Sequence, residues 1–316
     1  MIMLNGLASG ILWGLDTTIL GVALAMTPFI STEQAIFLSP FISTFLHDFF
    51  SSVWMSLYMC FKGQLVTTLK KARTRSGRFI ILAALLGGPV GMTSYVLAIK
   101  YIGPSYTAII SSLYPAMGAL LSYIFLKEKM KPLSIFGLGL SIFGIITLGY
   151  APGGHTENFF LGFIFALMCV IGWASEAVIC AYGMSEEEVS PEQSLQLRQL
   201  TSAITYGFIL IPLLKGVSTT LTISITWASA VILITALFGT ASYVCYYKAI
   251  HTLGATKAMS LNITYSAWAI LFGVILLGQP LSFKSIICAV IIMIGSILAA
   301  GDVKELLSKV PQNNSL

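Results

Sequence analysis

Charge is the scarce ingredient of this chain. Only 9% of its 316 residues are Asp, Glu, Lys or Arg, against about 25% in an ordinary soluble domain. Hydrophobic residues make up 57%, and a chain this apolar takes lipid as its solvent. The net charge of +5 does not point to nucleic acid, because most Lys and Arg sit in short segments beside apolar runs. Catalytic patterns are missing too: no HExxH, GxSxG or phosphate-binding loop occurs. The five cysteines, Cys60, Cys169, Cys180, Cys245 and Cys288, form no CxxC or Cys/His pattern and read as soft packing residues. His155 and His251 lie at the ends of apolar runs, far in sequence from other candidate ligands. Neither an enzyme, a metal centre nor a cofactor is therefore expected. A cleavable leader is not expected either. Ala23-Leu24-Ala25 resembles a cleavage site, but the first apolar run lacks a basic start and carries Asp16 at its centre.

What is present is a series of apolar runs near the 20 or so residues that span a bilayer. They lie near 4–26, 34–61, 79–101, 104–126, 132–150, 159–183, 192–214, 226–250, 255–277 and 283–301. Between them stand Thr27-Pro28, the basic run Lys70 to Arg78, Gly103-Pro104, Lys131-Pro132, Pro152-Gly153-Gly154, the acidic run Glu186 to Glu188, Gly254 and Gln279-Pro280. The expected fold is all-α and membrane-integral, with ten transmembrane helices. Basic residues set the topology. With the N-terminus inside, fourteen Lys and Arg, Arg198 among them, fall on the cytoplasmic side. Only Lys100, Lys215 and Lys284 fall outside. Both termini are expected in the cytoplasm.

The chain also repeats itself. Ala98-Ile99-Lys100-Tyr101-Ile102-Gly103 returns 151 residues later as Ala249-Ile250-His251-Thr252-Leu253-Gly254. The same offset carries Gly88 to Gly239, Tyr95 to Tyr246, Tyr114 to Tyr265, Leu126 to Leu277 and Ser134 to Ser285. At an offset of 160, Trp13-x-x-Asp16 becomes Trp173-x-x-Glu176. The expected division is a first repeat over 1–150, a second over 151–303 and a cytoplasmic tail over 304–316. Five helices per repeat is an odd number, so the second repeat is expected upside down relative to the first. Such inverted repeats place a substrate site at their interface near mid-membrane.

Three acidic residues fall inside apolar runs: Asp16, Asp48 and Glu176. Each costs roughly 2.5–3.5 kcal/mol at membrane depth, so it faces a cavity or a partner. No Lys or Arg is expected at that depth, which leaves a proton or a cationic substrate to supply the positive charge. Hydrogen-bonded, protonated acids are the plainer alternative. Trp13 and Trp173 each precede an acid by three residues and share its helix face. Tyr265 and Trp268 share a face in the same way, Tyr243 and Tyr246 lie close in direction, and Tyr114 is the repeat mate of Tyr265. Aromatic faces around a carboxylate suit a quaternary ammonium ion, which has no N–H to donate. The candidate substrate-binding set is therefore Trp13, Asp16, Tyr114, Trp173, Glu176, Tyr243, Tyr246, Tyr265 and Trp268. His47, beside Asp48, has an ordinary pKa near 6.5. With Asp48 and Glu176 it makes the candidate set for proton coupling. Gly137, Gly139 and Gly144 are expected at a close helix contact. Pro89 and Pro115 are expected to kink their helices.

The segment Ala98-Ile-Lys-Tyr-Ile-Gly-Pro-Ser-Tyr-Thr-Ala-Ile-Ile-Ser-Ser-Leu-Tyr-Pro115, followed by Phe125-Leu-Lys-Glu128 and Pro132, resembles the EamA repeat of the drug/metabolite transporter superfamily. The second repeat departs from it at Gln279-Pro280, where the first has Glu128-Lys129. A more specific resemblance is to LicB-type choline permeases of bacteria that decorate surface glycans with phosphocholine. It rests on His47-Asp48-Phe49, Gly88-Pro89-Val-Gly-Met92, Trp173-Ala-Ser-Glu176, Leu197-Arg198-Gln199-Leu-Thr-Ser202, Tyr246-Tyr247-Lys-Ala-Ile250 and Asn262-Ile-Thr-Tyr265-Ser-Ala-Trp268. The resemblance implies choline import across a bacterial cytoplasmic membrane by alternating access, with choline or a related cation, lipid and possible coupling protons as partners. An exporter of amino acids or other metabolites is the alternative the same fold supports. A membrane-embedded sensor or enzyme is the alternative from another class.

Overall fold

In a computed structural model, the described residues are 2–125, 131–149, 158–185, 188–280 and 282–300. Among them every regular element is a helix. Lys127 to Lys129, the Pro152-Gly153-Gly154 turn, His155, Glu186, Glu187 and the expected tail 304–316 lie outside the described residues.

Helix α1 covers Ile2–Leu24 and α2 Glu33–Phe61. The short α3 (Leu65–Lys71) leads into α4 (Arg75–Leu85), which passes through a π-helical segment, Leu86–Met92, into α5 (Thr93–Ser111). Then come α6 (Tyr114–Phe125), α7 (Pro132–Gly149) and α8 (Phe159–Ser185). Helix α9 (Pro191–Thr205) continues through a second π-helical segment, Tyr206–Leu210, into α10 (Ile211–Leu213). The remainder is α11 (Val217–Ser224), α12 (Trp227–Leu253), α13 (Ala255–Asn262), α14 (Tyr265–Leu277) and α15 (Phe283–Ala300). Short polar residues start several of them. Thr32 caps α2 by accepting from the Ala35 amide, Thr74 does so for α4, and Ser190 with Gln193 forms a capping box on α9.

Among the described residues, seven helical segments are long and apolar enough to cross a membrane: Leu4–Leu24, Glu33–Phe61, Arg75–Gly103, Tyr106–Phe125, Phe159–Ser185, Trp227–Leu253 and Ala255–Leu277. The apolar stretches of α7 and α15 are shorter, Pro132–Gly144 and Ile286–Ala299. Helix α9 lacks the hydropathy because its buried residues include Gln193, Ser194, Gln196, Arg198, Gln199 and Ser202.

The two halves break at matching places. Gly103 has φ 79°, ψ 163°, and Gly254, 151 residues on, has φ 84°, ψ 162°. A side chain at that backbone conformation is strained, which is why glycine stands there twice. The break between α5 and α6 at Ser112-Leu113 returns at Ile263-Thr264 between α13 and α14. The bounds of α7 shifted by 151 are those of α15. Packing is reciprocal as well: α1 lies on α12 and α8 on α5, α2 on α12 and α9 on α4, α1 on α14 and α8 on α6. Helices α7 and α15 pair with each other. There Gly137 and Gly144 leave no room for a side chain against Ala299 and Ile292, while Gly139 faces open space, contrary to expectation. Pro89 lies in the first π-helical segment and Pro115 in the first turn of α6.

Candidate functional site

Helices α1, α6, α8, α12 and α13 enclose a cavity lined by Trp13, Tyr114, Trp173, Glu176, Ser242, Tyr243, Tyr246 and Asn262. Its volume is about 30 Å³, enough for roughly two water molecules. Trp173 is the hub of its aromatic wall. Its ring lies 5.6 Å from Trp13, 4.7 Å from Tyr95, 6.1 Å from Tyr114 and 6.5 Å from Tyr265. Trp13 in turn stands 5.2 Å from Tyr243 at 73°, an edge-to-face contact. Asn262 accepts from the Tyr114 hydroxyl (2.8 Å) and donates to Ser9 (2.7 Å), fixing the polar end of the cavity.

Beside the cavity runs a row of buried charged groups. His47 Nε2 is 3.0 Å from Asp16 Oδ1, and its Nδ1 is 3.3 Å from Asp48 Oδ1. Arg198 Nη1 donates to both Asp48 oxygens (3.3 Å each) and to Gln199 Oε1 (2.7 Å). Arg198 Nε donates to Glu176 Oε1 (3.0 Å), which also accepts from the Tyr247 hydroxyl (2.7 Å). Arg198 Nη2 donates to the Tyr243 hydroxyl oxygen (3.1 Å), with the guanidinium carbon 4.7 Å from that ring's centre. Ser202 donates to Asp48 Oδ2. The five groups run Asp16, His47, Asp48, Arg198, Glu176, and each is almost fully shielded from solvent.

Hydrogen-bond bookkeeping fixes the proton content of this row. Two nitrogen–carboxylate contacts at His47 need two protons between them. A neutral imidazole carries one N–H. With both contacts made, either the imidazole is an imidazolium or one carboxyl is protonated. Asp48 is also held by Arg198 and Ser202, whereas the Asp16 carboxylate is held by His47 through Oδ1 and its Oδ2 is unpartnered.

Glycines make room for the row. A Cβ on Gly87 would lie 1.6 Å from Glu176 Oε2, and one on Gly88 would meet Ser202 at 2.3 Å. Gly239, the repeat mate of Gly88, does the same for the other end: its Cβ would lie 2.7 Å from His47 Nε2 and 3.0 Å from Asp16 Oδ1. The π-helical segment containing Gly87 and Gly88 thus lies against Glu176, Ser202 and, through Gly91, Trp173. π-Helical turns recur at functional sites.

Of the residues picked out from the sequence, Trp13, Tyr114, Trp173, Glu176, Tyr243 and Tyr246 line the cavity. Tyr265 stands behind Trp173 and bonds to Ser111 (2.5 Å). Asp16 belongs to the charged row with His47 and Asp48. Trp268 is elsewhere, with its Cβ against Gly14 and its ring stacked on Phe272. The expectation that no basic residue shares the depth of the acids is overturned. Arg198, assigned to a cytoplasmic segment, is fully buried between Asp48 and Glu176. Its position seven residues into α9, about 10 Å from the helix start, was the available signal. Tyr95, Tyr247, Ser242 and Asn262 were also missed as site residues.

A second cavity, of about 470 Å³, opens between the end of α1, the start of α2, α5 and the end of α14. Its lining includes Gly21, Phe29, Ile36, Val96, Ile99, Lys100 and Leu277. The Thr17–Tyr95 hydroxyl pair (2.8 Å) and buried Leu20 lie on α1 and α5 between this opening and Trp13.

The chain is 40% identical to Protein LicB of Haemophilus influenzae over 219 residues, covering 69% of this chain and 73% of that protein. It is 25% identical to an uncharacterized transporter of Clostridium kluyveri, over 70% of this chain and 71% of that one. A crystal structure of another protein shares the fold, with a TM-score of 0.59 at 18% identity over 94% of this chain and 96% of that one. The EamA-like transporter model matches twice, over residues 2–150 and 160–301. With both halves matched and its apolar helices arranged around buried charge, the chain is a multi-pass membrane protein of the EamA-like transporter family.

Proposed function

We propose that the chain imports choline, or a closely similar quaternary ammonium ion, across a bacterial cytoplasmic membrane by alternating access. The observation that carries this reading is the meeting of Trp13, Trp173 and Tyr243 with the Glu176 carboxylate around one cavity. Ring faces attract a cation that has no N–H, and desolvation raises each contact to about 2 kcal/mol or more. The resemblance to LicB supports choline among such ions. In this reading the narrow cavity is a closed state that opens toward the larger cavity near Lys100.

In this reading ten helices cross the bilayer as two inverted five-helix repeats. The reciprocal packing and the paired breaks at Gly103 and Gly254 support it. Both termini face the cytoplasm. With Arg198 counted as buried, thirteen basic residues remain on that side against three outside.

The coupling proton lies on Asp16, His47 and Asp48. Three carboxylates, one guanidinium and this proton leave the row one charge negative, and one monovalent cation completes it.

The test is uptake of radiolabelled choline into proteoliposomes holding the purified protein. Accumulation that follows an imposed pH gradient, competed by tetramethylammonium but not by amino acids, is expected. Efflux of amino acids without choline movement would replace this reading with that of an exporter.

A further inference from the structure

A permanent positive charge stands against the place proposed for a positive substrate. The Arg198 guanidinium is fully buried and makes its contacts in two directions. Toward the cavity wall, Nε holds Glu176 and Nη2 holds Tyr243, whose ring lies 4.7 Å from the guanidinium carbon. Away from the cavity, Nη1 holds both oxygens of Asp48 and the side-chain oxygen of Gln199. Arg198 does not line the cavity, but two of the residues that do, Glu176 and Tyr243, are already engaged by it. In the closed state the protein's own cation therefore occupies part of the interaction that a substrate cation needs.

The second set of contacts gives this a mechanical meaning. A buried charge with no partner is costly, and removing one member of a buried pair is strongly destabilising. Arg198 does not face that penalty if Glu176 turns to a substrate, because Asp48 and Gln199 keep Nη1 bonded. Asp48 is itself steadied by Ser202 and His47. Glu176 likewise keeps the Tyr247 hydroxyl on Oε1. Without the arginine, Glu176, the acid that lines the cavity, would face it without a counter-charge and hold a cation too firmly for turnover.

We propose that Arg198 is the release residue: a tethered guanidinium that yields Glu176 and the Tyr243 ring to an entering organic cation and retakes them to expel it. The proposal rests on the reading of the chain as a quaternary ammonium carrier. Arg198 acts on the substrate through Glu176 and Tyr243 and is in that sense a positioning residue.

A purely structural arginine and a releasing one predict opposite signs. Choline and its uncharged isostere 3,3-dimethylbutan-1-ol are titrated against wild type, Arg198→Gln and Arg198→Lys in nanodiscs, and choline counterflow is timed in proteoliposomes. Arg198→Gln is expected to bind choline at least about tenfold tighter, to bind the isostere unchanged, and to exchange choline at least about tenfold more slowly. Arg198→Lys, which keeps the charge but loses the two-way tether, is expected to bind choline less tightly than Arg198→Gln and to exchange it more slowly than wild type. Equal or weaker choline binding by folded Arg198→Gln overturns the proposal. If that variant does not fold, the choline-bound wild type examined by cryo-electron microscopy decides. Separation of Arg198 Nε from Glu176 beyond about 4 Å, with Asp48 still bonded, is expected, and an intact Arg198–Glu176 pair overturns it. Failure of wild type to bind any quaternary ammonium would instead overturn the carrier reading, and the proposal with it.

Discussion

Helices α1 and α8 carry the same device with different partners. Each presents a tryptophan and, one turn later, an acid: Trp13 and Asp16 on α1, Trp173 and Glu176 on α8. The two tryptophans meet at 5.6 Å. The acids do not share a partner. Asp16 faces His47, whose imidazole can take up or give up a proton. Glu176 faces Arg198, a group that stays charged. Equivalent positions in two copies of one motif have thus been given a removable counter-charge on one side and a permanent one on the other. Only Glu176 reaches the cavity. The comparison teaches that the repeat positions the acids, and that the neighbouring helices α2 and α9 decide what each acid does.

The sharpest way to break this division is to neutralise each acid in turn. Glu176→Gln is expected to abolish concentrative choline uptake, whereas Asp16→Asn leaves equilibrium choline binding within about threefold, a difference under 1 kcal/mol. Equal loss in both variants, measured by uptake and by equilibrium binding, would make the two helices functionally alike. Next in size is the aromatic wall. Trp173→Leu is expected to weaken choline binding at least about tenfold, or 1.4 kcal/mol, while Trp268→Leu, away from the cavity, leaves it near wild type. Calorimetric titration of both variants checks this, and a large effect at Trp268 would redraw the wall.

His47→Gln sharpens the comparison on the α1 side. It keeps the imidazole's place but carries no titrating proton. Uptake is expected to lose its response to an imposed pH gradient while choline counterflow continues. A retained response would move the proton elsewhere. Gly239→Ala tests the same end through packing. Its Cβ would lie 2.7 Å from His47 Nε2, so an overpacking cost of about 1–3 kcal/mol is expected and is read as a lower unfolding temperature.

The smallest effect is expected at the end of α9 away from the π-helical segment. There Glu192 pairs with Lys248 (3.2 Å) and Lys62 (3.7 Å), joining α9 to α12 and α2. Partial burial pushes its carboxyl up, but hydrogen bonds from its own amide and from Lys248 outweigh that and hold it below the usual glutamate range. A depressed folded-state pKa stabilises above the unfolded value and loses that contribution as pH falls through the folded one. Glu192→Gln should therefore cost no more than about 1 kcal/mol at neutral pH, and the cost should vanish in acid. A thermal-unfolding series against pH measures it.

Much of this organisation was legible in the residues. Period and length marked most of the helices, because apolar runs of spanning length leave few alternatives. The acids Asp16, Asp48 and Glu176 stood out because nothing else in those runs was charged, and the Trp–acid spacing put each pair on one face. Arg198 was misread because Lys and Arg are counted toward the cytoplasmic side by default, and α9 is polar enough to pass for a membrane boundary. Only tertiary packing, with Asp48 and Glu176 converging from α2 and α8, reveals its depth. The place of Trp268 away from the cavity is hidden from the sequence for a related reason. A shared helix face with Tyr265 says nothing of which neighbour that face meets, and here α1 comes close enough at Gly14 to turn the ring along α14 toward Phe272. The π-helical segments leave no periodic trace in a sequence.

On the ten-span reading, the polarity of α9 has a consequence for how the chain is made. A helix with arginine at its centre enters a bilayer at a cost of about 2.5–3.5 kcal/mol on insertion scales, and α9 adds buried glutamines and serines to that arginine. It is unsuited to leave the insertion machinery on its own. Ribosomes, however, deliver it after α2 and α8, so Asp48 and Glu176 are already in place when Arg198 emerges. Those two acids can then draw α9 into the membrane as a guest of its neighbours. Biogenesis would depend on the order of synthesis as well as on hydropathy, and a chain neutralised at both acids would leave α9 stranded at the surface.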